Sequence, residues 1–418
     1  MHRFKALAAI TLTFAALVTP AFAAKEKVLF SFSYYGADGA SPNGIISDAS
    51  GNLYGSTFDG GAEGDGVVFE LTPEADGKWS QKVLYNFCSE KDCLGGDGAE
   101  GTMAVDAAGN LYGTTTQNPN YHGGSAFQLA PEADGTWKFT ALHNFSGENG
   151  DGWWASGALV LDPQGNLYGT TQYGGSVNNT CTTGCGIVFQ LKPGADGRWN
   201  ERVVHRFNGK DGFQPVGGLT IDAAGNLYGA ALYGGTGPCE PWGCGTIFEL
   251  TPGTNNAWTF KTLHFFNSKD GYFAISPPIL GGDGNLYGTT DNGGLVVGLV
   301  YQLVPDQKGE WTERVLRYFF GPQKSDKSGV IMDAAGNLYG TTAGGGRFQE
   351  CEKGGCGAAY ELSPGADGTW VINWLHGFGG GTDGKFPGGL IFGPDGNLYG
   401  STEAGGAHNG GSVFQIMP

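Results

Sequence analysis

Short segments in which apolar and polar residues alternate recur along the whole chain, and one of them shows the alternation most clearly. It occupies Gly186–Pro193 and returns with similar residues at Gly245–Pro252 and Gly411–Pro418. Each copy has an aromatic residue and a Leu or Ile two positions apart, with Gln or Glu between them. Side chains two positions apart in a strand point to the same face, so both apolar residues face one core. The final proline cannot donate a ladder hydrogen bond and marks the end of the predicted strand.

Two more strands surround the pentapeptide Gly-Asn-Leu-Tyr-Gly. Its seven copies, 52 to 60 residues apart, begin at Gly51, Gly109, Gly165, Gly225, Gly284, Gly336 and Gly396. A glycine-rich apolar stretch such as Gly217–Asp222 precedes each copy and ends in a turn of the form Asp-x-x-Gly. Gly tolerates the positive φ of such a hairpin, and the Asp side chain accepts hydrogen bonds from the turn amides. Asp holds this position in five repeats, whereas Gly281 and Gly393 stand there in the other two.

A fourth strand begins near a Trp in six repeats, at Trp79, Trp137, Trp199, Trp258, Trp311 and Trp370. The seventh copy is absent before Pro418, and a matching segment, Lys27–Phe32, stands near the other end of the chain. The pattern predicts an all-β, seven-bladed β-propeller with four antiparallel strands in each blade. The N-terminal strand would complete the last blade, which also removes an exposed sheet edge. We expect residues 24–418 to form this single domain.

The repeats resemble a known family. They read Gly-Asn-Leu-Tyr-Gly-Thr-Thr, then Gly-Gly, then Gly-x-Val-Phe-x-Leu-x-Pro, which is similar to the bacterial GloVer (Gloeobacter/Verrucomicrobia-type) tandem repeat. The resemblance covers nearly all of residues 25–418. It implies an exported β-propeller-like protein but no particular activity. The function must therefore be sought in the residues by which the blades differ.

Residues 1–23 have the order of a secretory signal peptide. Arg3 and Lys5 precede the apolar stretch Ala6–Val18, and small residues lead to a cleavage site near Ala24. The stretch is shorter than the roughly 18 apolar residues that a membrane helix needs. We expect the mature protein to be secreted or periplasmic, with no membrane span.

The eight cysteines form four pairs of near neighbours: Cys88 and Cys93, Cys181 and Cys185, Cys239 and Cys244, and Cys351 and Cys356. In an exported protein this spacing predicts four local disulfides. Zinc is the alternative, but the pairs lie far apart and lack Cys-x-x-Cys spacing. Three pairs would close the loop between the second and third strands of a blade. The first pair would close a loop that leads into the next blade.

Composition narrows the possible partners. The formal net charge of -17 at pH 7 argues against nucleic acid. Neither Gly-x-Ser-x-Gly nor His-Glu-x-x-His occurs. One position of the outermost strand is a histidine in four blades: His143, His205, His264 and His376. The four imidazoles are therefore spread around the ring, and this arrangement predicts structural roles rather than a metal site. We expect a monomer without a cofactor. Calcium binding by the acidic loops is an open alternative.

In a propeller, the loops between the second and third strands share a face with the loops between blades. The loops that enter the blades contain Asp-Gly at Asp38, Asp97, Asp151, Asp211, Asp270 and Asp383. These acids could line the mouth of a central channel and hold a cation or sugar hydroxyls. Alternatively, each carboxylate binds the amides of its own turn. Their recurrence from blade to blade favours the turn.

Aromatic residues, by contrast, follow Asp-Gly in only some blades. Blades one and two have Ala40 and Ala99 there, whereas the later blades have Trp153-Trp154, Phe213 and Tyr272-Phe273. Tyr173 and Tyr233 precede Gly-Gly in neighbouring loops, and Trp242 stands inside a cysteine loop. Flat rings on one face suit sugar rings or a protein partner, although they could instead pack the long loops together. The candidate ligand-binding residues are Trp153, Trp154, Phe213, Tyr272, Tyr173 and Tyr233, with Asp151, Asp211 and Asp270 beside them.

These observations favour a recognition scaffold that binds a carbohydrate, or a protein, on its loop-rich face. One alternative is a polysaccharide-active enzyme, a glycoside hydrolase or lyase, that uses loop acids such as Asp59, Asp291 and Glu403. Glycoside hydrolysis requires two carboxylates set across a cleft, and the sequence distinguishes no such pair. The other alternative is a structural protein of the cell envelope.

Overall fold

The computed structural model of the chain describes residues 24–90, 93, 95–117, 123–293, 297–320, 325–346, 351 and 354–418, without the side chains of residues 325–328. The predicted signal peptide, residues 1–23, lies outside the described residues. The chain forms seven antiparallel sheets, the blades of a ring. The predicted seven-bladed β-propeller is therefore confirmed. None of the helices in the described ranges has the length and apolar content needed to cross a bilayer.

The first four blades follow one another along the chain, each running from its innermost to its outermost strand. Blade one is β2 (Ala40–Ser47), β3 (Leu53–Asp59), β4 (Val67–Pro73) and β5 (Trp79–Asn86). Blade two is β6 (Asp97–Val105), β7 (Leu111–Gln117), β8 (Ser125–Pro131) and β9 (Trp137–Asn144). Blade three has a divided innermost strand, β10 (Gly152–Ala155) and β11 (Val160–Leu161), then β12 (Leu167–Gly174), β13 (Ile187–Pro193) and β14 (Trp199–Arg206). Blade four is β15 (Phe213–Ile221), β16 (Leu227–Tyr233), β17 (Thr246–Pro252) and β18 (Trp258–Phe265), with a 3-10 turn at Thr254–Asn256.

The remaining blades repeat this order. Blade five is β19 (Ile279–Leu280), β20 (Leu286–Thr290), β21 (Leu299–Pro305) and β22 (Trp311–Tyr318). Blade six is β23 (Ser325–Met332), β24 (Leu338–Thr342), β25 (Ala358–Pro364) and β26 (Trp370–Gly377). Blade seven is β27 (Lys385–Phe392), β28 (Leu398–Ala404), β29 (Asn409–Met417) and, from the N-terminal part of the chain, β1 (Lys25–Ser33).

The two ends of the described chain close the ring. Strand β1 pairs antiparallel with β29, from Lys25 opposite Met417 to Ser33 opposite Asn409. β1 is thus the outermost strand of blade seven, as the missing seventh copy predicted. The pairing supplies β29 with hydrogen-bond partners along an edge that would otherwise be free to bind another strand.

The second glycine of the pentapeptide lies against the aromatic ring of the third strand. Gly55 pairs with Phe69 and Gly229 with Phe248, and both rings are fully buried. A Cβ placed on these glycines would stand 2.5 Å and 2.3 Å from the ring Cζ atoms of Phe69 and Phe248. Glycine is required here because the ring occupies the space that any other side chain would need.

The turn before the pentapeptide is held by its aspartate, as predicted. In blade four, Asp222 Oδ1 accepts hydrogen bonds from the amides of Ala224 and Asn226, each at 2.9 Å. Asp222 Oδ2 accepts from Asn226 Nδ2 at 2.8 Å and from the Tyr228 hydroxyl at 3.2 Å. One carboxylate therefore fixes both the turn and the tyrosine.

Blades five and seven keep this carboxylate although the sequence has glycine at the expected position. In blade five, Asp283 lies two residues after Gly281 and accepts from the Asn285 amide at 3.1 Å and from the Tyr287 hydroxyl at 2.7 Å. Asp395 takes the same place in blade seven. In these two blades the aspartate has moved two positions along the chain, and its hydrogen bonds to the turn and to the tyrosine are kept.

The tyrosine of the pentapeptide also connects its blade to the next one. In blade three, the Tyr168 hydroxyl donates to Asp162 Oδ2 at 3.0 Å and accepts from Gln190 Nε2 at 2.8 Å. The Tyr168 ring centroid lies 5.7 Å from that of Trp258, which begins the outermost strand of blade four. The Gln of the third strand therefore helps to hold the tyrosine in place by a hydrogen bond.

All four cysteine pairs form disulfides, as their spacing predicted. The second cysteines of three pairs lie two residues before a third strand, and their carbonyls accept hydrogen bonds from the next blade. The backbone amide of Gln214 donates to Cys185 O at 3.1 Å, that of Phe273 to Cys244 O at 3.1 Å, and that of Phe386 to Cys356 O at 2.8 Å. The three donors have φ of 54°, 62° and 58°. A disulfide loop on one blade thus holds a left-handed residue at the entry to the next.

We predict that Gly229→Ala lowers the free energy of unfolding by about 1–3 kcal/mol, because its Cβ would overlap the Phe248 ring. Urea denaturation followed by tryptophan fluorescence measures this change. Gly282→Ala is the matched control, since no heavy atom lies within 4 Å of the added Cβ. Equal stability of the two variants would contradict this prediction, because it would show that the Phe248 ring moves aside without loss of stability.

Candidate functional site

The two kinds of long loop share one face of the ring. Hydrogen bonds join a loop between blades to the loop between the second and third strands that follows it. In blade one Gly61 N donates to Gly36 O at 3.0 Å, and in blade three Gly175 N donates to Asp151 O at 2.9 Å. We call this the loop-rich face. The disulfide loops lie among these connections.

On the loop-rich face, the residue that leads into each innermost strand pairs with the residue at the end of the second strand, and in blade five an isolated bridge outside the two strands takes this place. We call the two facing residues the entry pair. In blades three, four and five the pairs are Trp153 with Tyr173, Phe213 with Tyr233 and Tyr272 with Asn292. In blades one, two and seven they are Ala40 with Asp59, Asp97 with Gln117 and Lys385 with Ala404. Three consecutive blades, here named the aromatic half, therefore carry rings where blades seven, one and two carry none.

The register corrects the alignment of blade two. Asp97 pairs with Gln117, and Trp153 of blade three pairs with Tyr173, so Asp97 is equivalent to Trp153 and not to Asp151. Ala99 is equivalent in turn to Ala155. Gly95 and Gly96 occupy the places that Asp-Gly fills elsewhere. The blade-two sequence Gly-Gly-Asp-Gly can be aligned with the Asp-Gly of the other blades through its first two or its last two residues. The strand pairing shows that the first two residues are the equivalent ones, contrary to the expectation from the sequence.

The aspartates named as ligand candidates are engaged within their own loops. Asp151 Oδ2 accepts from the Ser146 amide at 2.8 Å, and Asp151 Oδ1 lies 3.3 Å from His143 Nε2. Burial by itself would raise the pKa of Asp151, but the hydrogen bonds from His143 and the Ser146 amide outweigh it, so the pKa lies below its ordinary value. These contacts support the turn interpretation for Asp151.

Asp211 and Asp270 have the same arrangement. The Asn208 amide donates to Asp211 at 2.9 Å, and His205 Nε2 lies 3.1 Å from Asp211 Oδ2. The Asn267 amide donates to Asp270 at 2.9 Å. His264 Nε2 lies 3.3 Å from Asp270 Oδ2, and His376 Nε2 lies 3.3 Å from Asp383 Oδ2. Each histidine is thus paired with the aspartate of the adjoining loop, which agrees with the structural role predicted for the histidines.

Five aromatic residues of blades four and five form one cluster, here named the aromatic cluster: Phe213, Tyr233, Trp242, Tyr272 and Phe273. The ring centroid of Tyr233 lies 5.7 Å from Phe213, 5.5 Å from Trp242 and 5.0 Å from Phe273. Tyr272 lies 4.7 Å from Phe273. Trp242 is 52% exposed, and Phe213 is buried beneath the others. The structure thus brings together residues that are up to 60 positions apart in the sequence.

The rings of blade three lie beside this cluster. Tyr173 stands 5.5 Å from Trp153 and 6.4 Å from Trp154, between ring centroids. Burial, followed by the charge of Tyr173, raises the pKa of Tyr233. Blade four, which carries Tyr233, adjoins blade three through the hydrogen bond from Gln214 N to Cys185 O. Of the predicted ligand residues, the six aromatic ones therefore lie along one side of the loop-rich face.

Two of the partly buried rings are held by an uncommon backbone. Trp154 and Phe273 both have φ of 62°, in the left-handed region that costs a residue with a side chain roughly 1–2 kcal/mol. Trp154 N donates to Gly123 O at 2.9 Å, the counterpart in blade two of the bond from Phe273 to Cys244. The contact between blades stabilises the left-handed backbone and fixes where these rings point.

One exposed aromatic pair was missed in the sequence. Tyr34 and Tyr35 are 51% and 94% exposed, with ring centroids 4.7 Å apart. With His408 and Asn409 they line a shallow depression of about 600 Å³ beside the closure of the ring. The signal was present, because Tyr34 follows the N-terminal strand as Asp-Gly loops follow the other fourth strands.

Metal-ligating side chains are grouped in one place within the described ranges. Asp65, Cys88 and Asp97 offer ligand atoms within 4.8 Å of one another. Cys88 is bonded to Cys93 and therefore provides no thiolate. Burial and, second, the charge of Asp65 raise the pKa of Asp97. The group is an acidic contact between blades one and two.

The fold and this face define a seven-bladed propeller that presents grouped aromatic residues on its loop-rich side. The family model of the Gloeobacter/Verrucomicrobia repeat matches residues 18–182 and 175–414. The chain belongs to the Gloeobacter/Verrucomicrobia repeat family. No curated protein matches the chain.

Several solved structures resemble this one at low sequence identity. A hypothetical selenium-binding protein from Sulfolobus tokodaii has a TM-score of 0.50 and 10% identity, over 77% of this chain and 74% of that chain. A luciferin-regenerating enzyme has a TM-score of 0.44 and 13% identity, over 94% and 95% of the two chains. A glucose dehydrogenase has a TM-score of 0.45 and 15% identity, over 94% and 99%. The first likeness concerns the fold alone.

An acid on the outermost strand of blade five predicts a pH dependence of stability. Burial, with the charge of Asp270 second, raises the pKa of Glu313 to about 8 from an ordinary value of 4.5. Between these values the folded protein holds a proton that the unfolded chain has released. The free energy of unfolding contributed by Glu313 therefore falls as the pH rises through this window.

We predict that Glu313→Gln, which cannot ionise, gains stability relative to the parent protein as the pH rises from 5 to 8.5. Thermal unfolding at the two pH values measures the difference. Glu310→Gln, at an exposed position of the same hairpin, serves as the control and should change stability equally at both. A Glu313→Gln effect that is the same at pH 5 and pH 8.5 would contradict the raised pKa.

Proposed function

We propose that this protein is an exported recognition scaffold that binds a carbohydrate on the aromatic half of its loop-rich face. The observation that carries the proposal is the asymmetry of the entry pairs. Blades three, four and five place rings where blades seven, one and two place Lys385, Ala40 and Asp97. Residues that maintain the fold recur from blade to blade, so a difference that the described entry pairs confine to three neighbouring blades points to a local role.

The chemistry of these rings suits sugars. The face of a pyranose presents C–H groups that pack against flat aromatic surfaces, while Tyr hydroxyls and the Trp indole N–H reach polar neighbours. Trp153, Trp154, Tyr173, Tyr233 and Tyr272 are only partly buried. Rings that served only to pack loops together would be covered as Phe213 is.

An oxidising compartment is part of the proposal. Four disulfides in one chain are consistent with a periplasmic or extracellular location, because cytosolic thiols are kept reduced. The predicted signal peptide would bring the protein there. A scaffold in that location meets the polysaccharides of the cell's surroundings or envelope.

We predict that Tyr173→Ala weakens glycan binding about two- to tenfold, as expected for the loss of one aromatic contact. The first step is a glycan-array screen of residues 24–418, with calcium and again with a chelator, followed by titration of the best ligand. Gln117→Ala is the matched control, since Gln117 holds the same entry-pair position in blade two. Thermal unfolding checks that both variants remain folded.

The outcomes separate the alternatives. Loss of binding in Tyr173→Ala but not in Gln117→Ala would support the aromatic half as the binding surface. An equal loss in both variants, or no glycan bound in either condition, would contradict the proposal. Cleavage of a bound glycan, seen as new reducing ends or unsaturated products, would favour the hydrolase or lyase.

A further inference from the structure

A cavity at the outer end of the aromatic half combines rings with a carboxylate. Its volume is about 360 Å³, and its lining is Pro238, Cys239, Glu240, Trp242, Gly243, Ser268, Tyr272 and Phe273. Trp242 and Glu240 come from the disulfide loop of blade four, and Tyr272 and Phe273 begin blade five. The cavity therefore lies between two blades, on the surface to which the proposed function assigns glycan binding.

The rings around this cavity stand at steep angles to one another. Tyr272 is inclined 75° to Phe273, and Trp242 and Phe273 are inclined 57° and 77° to Tyr233, which contacts both rings but does not line the cavity. Rings in this arrangement form walls rather than a stack. Their electron-rich faces attract a cation that enters between them.

The walls are held in place by the contact between the blades. Gly234 N donates to Trp242 O, and Gly243 N donates to Cys239 O, each at 2.7 Å. The Cys239–Cys244 disulfide closes the same loop, and Cys244 O accepts the Phe273 amide. Rings that are already positioned lose little conformational entropy when a ligand binds.

The residues that line the cavity carry a net negative charge. Among the described residues that line it, Glu240 alone is charged, and its side chain is exposed to an incoming ligand. Lys269 adjoins Ser268 in the chain but does not line the cavity. The whole protein carries a net charge of -17. The cavity therefore disfavours uronates and sulfated sugars and favours a positive group.

We propose that this cavity binds the protonated amine of an amino sugar, so that the recognised glycan contains de-N-acetylated hexosamine. The ammonium group lies between Trp242, Tyr272 and Phe273 and forms an ion pair with Glu240. N-acetylation removes the positive charge and with it the attraction to the rings and to the carboxylate. This inference rests on the proposed function and names the class of sugar that the site selects.

Calorimetric titration with three oligosaccharides of equal length tests the inference: a glucosamine oligomer, its N-acetylated counterpart and a cello-oligomer. We expect the glucosamine oligomer to bind about tenfold more tightly than the other two at pH 6. We expect Glu240→Gln to reduce this preference severalfold, because only the attraction to the rings remains, and to leave the affinity for the uncharged oligomers unchanged. Glu63→Gln, at an exposed acid of the equivalent loop in blade one, should keep the preference. Trp242→Ala should weaken all three.

The outcomes distinguish this inference from the proposed function. Equal affinity for the acetylated and free-amine oligomers would overturn the amine site and leave glycan binding intact. A preference that Glu240→Gln leaves undiminished, or that Glu63→Gln reduces equally, would overturn its location. Failure of the protein to bind any oligosaccharide, here and on the array, would overturn both.

Discussion

The hydrogen bond from the left-handed residue at the entry of one blade to the preceding blade is the contact on which the ring and its loop-rich face both depend. It joins Phe273 to Cys244, Phe386 to Cys356 and Gln214 to Cys185. On one side it fixes a loop closed by a disulfide, and on the other it fixes the first residues of an innermost strand. Any ring carried by either element is positioned as a consequence of the same bond. The fold therefore prepares a rigid surface before any ligand is present.

The repeated residues are largely occupied by the architecture. Asp222 binds its turn and Tyr228, Gly229 makes room for Phe248, and Asp211 holds the Asn208 amide beside His205. Side chains engaged in this way have little capacity left for a ligand. The entry pairs differ, because their place is defined by backbone hydrogen bonds that accept any side chain. Variation there changes the surface at little cost to the fold, and this freedom is why function is sought at these positions.

The sequence predicts the ring well because each strand carries its own pattern of buried and exposed residues. The closure by β1, the disulfides and the turn aspartates follow from local spacing alone. Asp97 and Asp283 each stand two positions from the place that the repeat assigns to an aspartate. Strand pairing shows this for Asp97 and corrects its alignment, and side-chain hydrogen bonds show it for Asp283. The site was harder to predict. Exposure of Trp242 and the angles between rings from different blades depend on contacts that no local pattern records.

Carboxylates lie on both parts of the loop-rich face, whereas the rings of the entry pairs lie on the aromatic half. Blades one and two carry Asp59, Asp65 and Asp97, the last two close enough for the charge of Asp65 to raise the pKa of Asp97. A glycan chain that covers the face would meet rings on one side and carboxylates on both. Anionic polysaccharides would be repelled along that path, whereas neutral or cationic ones would not. The preference argued for the cavity at Glu240 therefore has the same sign as the field of the whole face.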